Sequence, residues 1–461
     1  MFRAGTFFVL PSLLVAASSC SSSNASTEAS SAPEWVDAPA AIDLYEGRST
    51  EVPLKIRVRD PKAVRIEPTA TEGITIEVVP EESAGDELFR ARLLVRAGYG
   101  LSEPSVRLAI VDGGQPSTIE LPLRPHALSW RSNEWTPSTG PKTREHGVFF
   151  LDPEAGAGFV FHGSGYSPQF VPIDDSWRLD LATNTWTPWA PTGDVPPATG
   201  GVRAALVPGS KTAYVHGGYT GTSGSETARG ELYRVDLDRA DRQFTKLTGD
   251  VDEGKRYLHA LAYDPKGEQL IVFGGFAGTT SLRPMLDDTW LVKPSGDTAT
   301  WTKLETTRAP SPRYGAFHAF DEASRRFIVW SGAQAPKSGD PINAAQDAWA
   351  LDLSATPPAW SKLSPAGEAP PGRRNGCIMH DPVGRRLFVF GGTNDGQTTL
   401  EGLWVLSLEP GHEEWTKLEP PGMPPMRSSG IGFALPGGAV ACGFGNDTFP
   451  FADLNVLGYV D

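Results

Sequence analysis

The sequence predicts an all-β chain in two units: a closed six-bladed β-propeller over residues 128–461 and a smaller β-sandwich before it. Two repeated phrases and the offset between them carry the prediction. The first phrase is Trp135-Thr-Pro, Trp186-Thr-Pro, Phe244-Thr-Lys-Leu, Trp301-Thr-Lys-Leu, Trp360-Ser-Lys-Leu and Trp415-Thr-Lys-Leu. The second is an apolar run that ends at Gly163, Gly217, Gly274, Ser331, Gly391 and Gly443. Both recur about every 56 residues, a period long enough for one supersecondary unit. The first Trp phrase precedes any glycine phrase, and the last glycine phrase has no Trp phrase after it. That offset fits a ring whose last unit is completed by chain from its beginning.

Each period reads as four short strands. Between Arg313 and Leu363, strand a spans 314–320 and turns at Asp321-Glu-Ala-Ser324. Strand b spans 326–330, too short and too aromatic for a helix. A long loop leads to Asp347, strand c alternates apolar and polar over 348–352, and strand d spans 360–363. Asp, Pro and Gly punctuate the turns. Four antiparallel strands repeated about an axis make a propeller blade. Strand b is apolar on both faces because neighbouring blades stack on both. The strand-d Trp residues are expected to fill wedges between blades. The last blade takes strand d from residues 129–137, with Trp135 in the Trp place, which removes an open sheet edge.

These residues resemble the kelch family. The carriers are the Gly-Gly phrases after strand b, Asp174-Asp-Ser-Trp177 and Asp287-Asp-Thr-Trp290, the strand-d Trp, and an Arg opening strand a. The chain departs from the pattern at Ser331, at Phe244, and at His162 and His216, which are taken to share one repeat position before the glycine.

Residues 34–127 lack the phrases. Strand runs at 50–58, 64–67, 74–79, 88–96, 106–111 and 118–123 suit an immunoglobulin-like sandwich acting as a stalk or spacer. Residues 1–20 read as a lipoprotein signal peptide. Arg3 is followed by an apolar stretch, and Ala17-Ser-Ser-Cys20 resembles a bacterial lipobox with Cys20 as the lipidation site. Residues 21–33 are a Ser-rich flexible tether. The expected location is the cell envelope, periplasmic or extracellular, with the membrane engaged through the lipid alone.

The net charge of −14 and the absence of a basic block argue against nucleic acid. Cys377 and Cys442 are expected as two small buried side chains, although an exported setting permits a disulfide. No metal-ligand spacing, phosphate loop or nucleophile motif appears, so no catalytic residue, metal or cofactor is assigned.

The strongest constellation is an arginine series, Arg144, Arg203, Arg256, Arg313, Arg373 and Arg427, each taken to open strand a. A guanidinium recognises carboxylate or phosphate through a planar fork. One reading places the six around one mouth of the channel as a binding ring. The other makes them structural, bonded to neighbouring carbonyls or to the Asp before strand c. The long b–c loops emerge at that same end, with Tyr166, Phe170, Tyr219, Phe276, Phe449 and Phe451 on them. The expected activity is recognition of a protein or glycan ligand, acidic in character, on the face formed by the b–c and d–a loops. The family resemblance also implies an enzyme alternative, a sugar mutarotase, which would need one buried carboxyl or His among the arginines.

Overall fold

The computed structural model describes residues 33–460, apart from 59, 83–86, 113–114, 133, 135–138, 153, 167–169, 223, 238–242, 250–253, 278–284, 335–341 and 448–449. The chain is all-β, with one short 3-10 turn at Pro436–Gly438 and no α-helix among these residues.

Five sheets share one order, each strand pairing antiparallel with the next in sequence. The first is Val148–Asp152, Ala157–Phe161, Ser176–Asp180 and Thr185–Pro188. The second starts at Arg203–Leu206, the third at Ala260–Asp264, the fourth at Phe317–Asp321 and the fifth at Cys377–Asp381. A sixth sheet begins with Ile431–Ala434 and Val440–Gly443, continues with Leu454–Val460, and is joined by Leu123–Arg131. The six a strands touch in sequence, and the sixth touches the first, so the sheets close a propeller around an axis.

The closing strand corrects the expected one. Strand Leu123–Arg131 pairs with the chain's end from Arg131↔Val456 to Ala127↔Val460. The Trp in the blade position is therefore Trp130, buried and 5.2 Å from Phe390 by ring centroids. The expected strand 129–137 overlaps it only at residues 129–131, and Trp135 lies outside the described residues. The other strand-d aromatics lie where packing demands. Trp360 sits between Phe273 of the third sheet and Phe327 of the fourth, and its indole N–H donates to Thr289 Oγ1 at 3.0 Å.

The glycine phrase and the opening arginine are two ends of one bond. The second glycine donates its N–H to the carbonyl of the next sheet's opening residue: Gly218 to Arg256, Gly275 to Arg313, Gly332 to Arg373, Gly392 to Arg427. Gly445 to Arg144 closes the ring, and Gly163 to Thr199 completes the six. The residue before each is left-handed, as at Gly274 with φ 63°, where a Cβ would lie 2.7 Å from the Arg313 carbonyl oxygen. His162 and Phe444 hold this place in the first and sixth sheets, with φ 51° and 53°. His162 therefore aligns with Gly217, one position past His216. The two histidines do not share a repeat position, and the glycine marker is one residue out of register in the first and sixth sheets.

Residues before the propeller form two sheets. One orders Glu34–Trp35, Ser49–Arg57, Leu88–Ala97 and Ile74–Pro80, and the other Arg65–Ala70, Val106–Asp112 and Gln115–Glu120. Leu54, Ile56, Leu93, Val95, Val106, Leu108 and Ile110 belong to the shared core. Strand Leu123–Arg131 is divided between the units: Leu123–His126 pairs in parallel with Ile42–Tyr45, and Ala127 onward pairs with the propeller.

The front unit docks at the end of the sheets where strand a finishes. There the turn Asp of one sheet takes a base from the next: Asp152 faces Lys211, Asp264 binds Arg325 and Asp321 binds Arg385. Among the described residues Asp381 has no such base on the sixth sheet, and it takes Arg48 of the front unit at 3.2 Å. Arg386 joins Asp381 to Tyr459 Oη, Tyr99 Oη and the Glu46 carbonyl, and Arg96 forks Glu409 at 2.8 and 2.9 Å. Cys377 and Cys442 form a disulfide between the fifth and sixth sheets, where two unlinked side chains were expected. The ring brings strand a of one sheet beside strand b of the next, which the 65-residue separation in sequence conceals.

Candidate functional site

The arginine series divides on inspection. Arg144, Arg256, Arg313, Arg373 and Arg427 are buried within their own sheets, and none of them lines the axial cavity. Arg313 donates to the Ser331 carbonyl at 3.1 Å and to Asp347 at 2.7 and 3.3 Å. Arg256 pairs with Asp288, Arg144 with Asp175 and Arg427 with Asp453. The same Asp accepts an indole N–H two residues on: Trp177 to Asp175 at 2.9 Å, Trp290 to Asp288 at 2.6 Å, Trp349 to Asp347 at 2.8 Å. The second Asp of each Asp-Asp-x-Trp phrase is thus a bridge between guanidinium and indole. Burial alone would raise the carboxyls of Asp288, Asp347 and Asp453, but the Arg partner outweighs it and holds each below the ordinary carboxylate range. Their burial and their bonds within the sheet support the structural reading of these five.

Arg203 is not a member. The position equivalent to the opening Arg in the second sheet is Thr199, since Thr199 receives the ring bond from Gly163. Arg203 stands four residues further, where the other sheets carry Val148, Ala260, Phe317, Cys377 and Ile431. In the fifth sheet the Asp place is Gly402, and Arg373 donates instead to the carbonyls of Gly391 and Glu401.

The mouth itself is backbone. Two residues after each opening position stands a left-handed residue: His146, Gly201, Leu258, Gly315, Asn375 and Ser429. Their N–H groups donate around the axis, Leu258 to Gly201, Gly315 to Leu258, Asn375 to Gly315, Ser429 to Asn375 and His146 to Ser429. The belt is open between Gly201 and His146.

The residue before each belt position bridges to a b–c loop. The pairs are Glu145 with Ser164, Gly200 with Tyr219, Tyr257 with Phe276, Tyr314 with Ala333, Arg374 with Thr393 and Ser428 with Asn446. The loops are thereby stitched over the mouth. One side of this face is aromatic: Tyr219, Tyr257, Phe276 and Tyr314 form a continuous run, the last two stacked at 4.1 Å. Arg374 lies 5.3 Å from the Tyr314 ring centroid and donates to its hydroxyl. The other side is polar. Glu145 is buried against Asn446 and Ser429, and burial pushes its carboxyl up to about 8. Its carboxylate oxygen is 4.0 Å from His146 Nε2.

Tyr219 and Phe276 were expected on these loops and are part of the buried run. Phe451 packs over Arg427 at 4.5 Å. Phe449, and the side chains of Tyr166 and Phe170, lie outside the description. Glu145, Tyr257, Tyr314 and Arg374 were missed, although each directly follows an opening Arg and that fixed offset marks them.

Below the belt is an axial cavity of about 420 Å³, lined by all six a strands. Its polar lining includes His146, Arg203, His318, Asn375, Ser429 and His380. Burial drives the imidazoles down, His146 to about 3 and His318 and His380 to about 4, so all three are neutral at ordinary pH. His216 and His259 bond to each other outside the cavity, Nδ1 to Nε2 at 3.1 Å. Among the described residues no group of three His, Cys, Asp or Glu side chains converges as a metal site requires.

Comparison with known proteins gives a family and a set of relatives. The KLHDC2/KLHL20/DRC7 Kelch-repeats domain model matches residues 204–445. Adagio-like protein 1 of Oryza sativa subsp. japonica is 28% identical over 299 residues, which are 63% of this chain and 45% of that protein. Adagio protein 3 of Arabidopsis thaliana is 27% identical over 304 residues, 65% of this chain and 46% of that protein. The chain spans under half the length of these relatives. Among solved structures, that of YjhT is similar with a TM-score of 0.49 and 14% identity, over 70% of this chain and 95% of that chain.

Proposed function

Because the chain belongs to the kelch-repeat family, we propose that it is a cell-envelope binding or scaffolding module that takes a protein or glycan ligand on its loop face. In this reading the six sheets are the blades of one kelch propeller and residues 34–127 are an immunoglobulin-like spacer. Cys20 carries the lipid, and residues 21–33 are the tether; both lie outside the described residues. The observation that carries the reading is the division of the two ends. The front unit occupies the strand-a turn end through Arg48–Asp381 and Arg96–Glu409. The end with the longer loops is left open, with its loops fixed by the bridges described above. The Cys377–Cys442 disulfide supports an oxidising compartment.

Arg374 on Tyr314 is the contact expected to meet an acidic ligand. The test is capture of envelope proteins and a glycan array with purified protein, comparing wild type with Arg374→Ala and with Val383→Ala at the opposite end. Loss of binding in Arg374→Ala alone supports the loop face; equal binding by both variants sinks it. Lipidation is checked by palmitate labelling, which Cys20→Ser should abolish.

Glu145 favours a second reading, the sugar mutarotase. A buried carboxyl held near pH 8 can give and take a proton close to neutrality, and His146 lies beside it. Purified protein would then accelerate anomer exchange of a reducing acidic sugar, and Glu145→Gln would remove the acceleration. No acceleration by the wild type excludes this reading.

A further inference from the structure

We propose that the axial cavity is a binding site for a small oxyanion, a carboxylate or phosphate group, held by the guanidinium of Arg203. The site is separate from the loop face, inside the ring, and does not rest on the reading above.

Three observations converge on it. First, Arg203 breaks the repeat. Its place on strand a is apolar in the other five sheets, so the propeller's own packing does not call for a cation there. Second, it has no countercharge. The guanidinium has five N–H donors. Nε donates to the His259 carbonyl at 3.0 Å and Nη1 to the Val202 carbonyl at 3.3 Å. Nη2 and one N–H of Nη1 remain, and the side chain borders the cavity. Among the described residues no carboxylate lies within ion-pair distance of it, in contrast to the Arg–Asp pairs of four other sheets.

Third, no group beside the guanidinium supplies the missing negative charge. His318 is fixed as a neutral tautomer, its Nδ1–H donating to the Ala316 carbonyl and its Nε2 accepting from the Leu261 N–H. His146 is neutral, and Arg203 contributes to keeping it so. Glu145 is protonated at neutral pH because burial raises its carboxyl. Glu322 also lines the cavity, from the far end of strand a. The backbone belt is open beside Arg203 as well: among the described residues the Gly201 N–H has no acceptor, while the other five belt N–H groups each have one. A partly buried guanidinium with free donors, beside an unpaired backbone N–H and hydroxyl and amide groups at Ser429 and Asn375, is complementary to a planar or tetrahedral oxyanion. A cavity of about 420 Å³ admits such a group with a small substituent.

The experiment is calorimetric titration of full-length protein with inorganic phosphate and, separately, with acetate, at constant ionic strength. One saturable site is expected for at least one probe, and which one binds distinguishes phosphate from carboxylate chemistry. Arg203→Met should weaken binding at least tenfold with the circular dichroism spectrum unchanged. Arg374→Ala, on the loop face, should bind the probe as wild type does, whether or not it has lost its macromolecular ligand. If Arg203→Met does not fold, Arg203→Lys keeps a charge without the fork and should weaken binding severalfold. The proposal is overturned by no saturable binding of either probe, by wild-type affinity in whichever Arg203 variant folds, or by loss of binding in Arg374→Ala.

Discussion

The fourth and second sheets place arginine near the same mouth and use it in opposite ways. Arg313 is buried in its own sheet, with two oxygens of Asp347, the Ser331 carbonyl and Ser311 accepting its N–H groups. Arg203 reaches out of its sheet to the His259 carbonyl of the third and keeps unpaired donors toward the axis. One is a bracket that joins strand a to strand c and, through its carbonyl, to the preceding sheet. The other is a charge without a partner. Repetition of a residue type near a mouth therefore says little about ligand; what decides is whether a carboxylate accompanies it.

The bracket should show the largest effect. Arg313→Ala leaves Asp347 partly buried without its cation, with only the Trp349 indole N–H still on it, and strands the Ser331 carbonyl. Removing one partner of a buried pair costs about 3–5 kcal/mol, and the 22% exposure of the Asp347 side chain places this one near the lower end. A fall of about 3 kcal/mol in urea unfolding is expected. Arg373→Ala should cost less, because no carboxylate is orphaned in the fifth sheet. Equal losses would show that the carbonyl contacts, and not the ion pair, carry the bracket.

The fifth sheet is tied in another way, by the disulfide to the sixth. Cys377→Ser with Cys442→Ser should cost about 2–4 kcal/mol for a loop of this length. The loss should appear in the cooperative unfolding of the whole ring, since it opens at the seam beside the closing strand. A variant as stable as wild type would mean that the Leu123–Arg131 strand closes the ring unaided.

What could be read from the sequence follows the same division. The Trp and glycine phrases were legible because packing requires them in every sheet, and so was the ring. The closing strand was placed six residues late, and its Trp five, because Trp130 and Trp135 are both flanked by polar residues, and only pairing of Leu457 with Trp130 chooses between them. Arg203 was aligned with the brackets because the true equivalent, Thr199, lacks the side chain that marked the series. The missing turn Asp eight residues after Arg203 was no warning, because Arg427, a true member, has Leu435 at that distance. The disulfide joins residues that only the ring makes neighbours. Glu145 and Arg374 stand directly after an opening Arg, but the loop bridges that give this place its meaning are not visible in local sequence.

The polar side of the mouth predicts a pH dependence. Glu145 titrates near 8 in the folded chain and near 4.5 when unfolded. Its folded value is raised, so the stability tied to its proton is complete below about 4.5 and lost as pH rises to 8. His146, His318 and His380 run the other way: their folded values are depressed, so their contribution is present above 6.5 and lost as pH falls. Between 4.5 and 6.5 the two trends oppose, and the histidines dominate by number. From 6.5 to 8 Glu145 acts alone at about 1.4 kcal/mol per pH unit, roughly 2 kcal/mol in all. Unfolding free energy should therefore peak near pH 6.5, and Glu145→Gln should flatten the alkaline side and, by removing the opposing trend, steepen the rise between 4.5 and 6.5.

The smallest effect is expected at Arg203, and its smallness is what separates the two arginines. Burial pulls this guanidinium down to about 10, and no charged partner offsets the desolvation. Arg203→Met removes that cost, fills similar volume, and matches the apolar residues found at this place in the other sheets. It gives up two hydrogen bonds, to the His259 and Val202 carbonyls. Bonds from a charged donor are worth about 1.5–3 kcal/mol each, and the desolvation of a partly buried ion without a countercharge, several kcal/mol, offsets them. The net change should lie within about 1 kcal/mol of zero, read as an unchanged urea midpoint. A loss as large as that of Arg313→Ala would make Arg203 a bracket as well, and the contrast between the two sheets would fall.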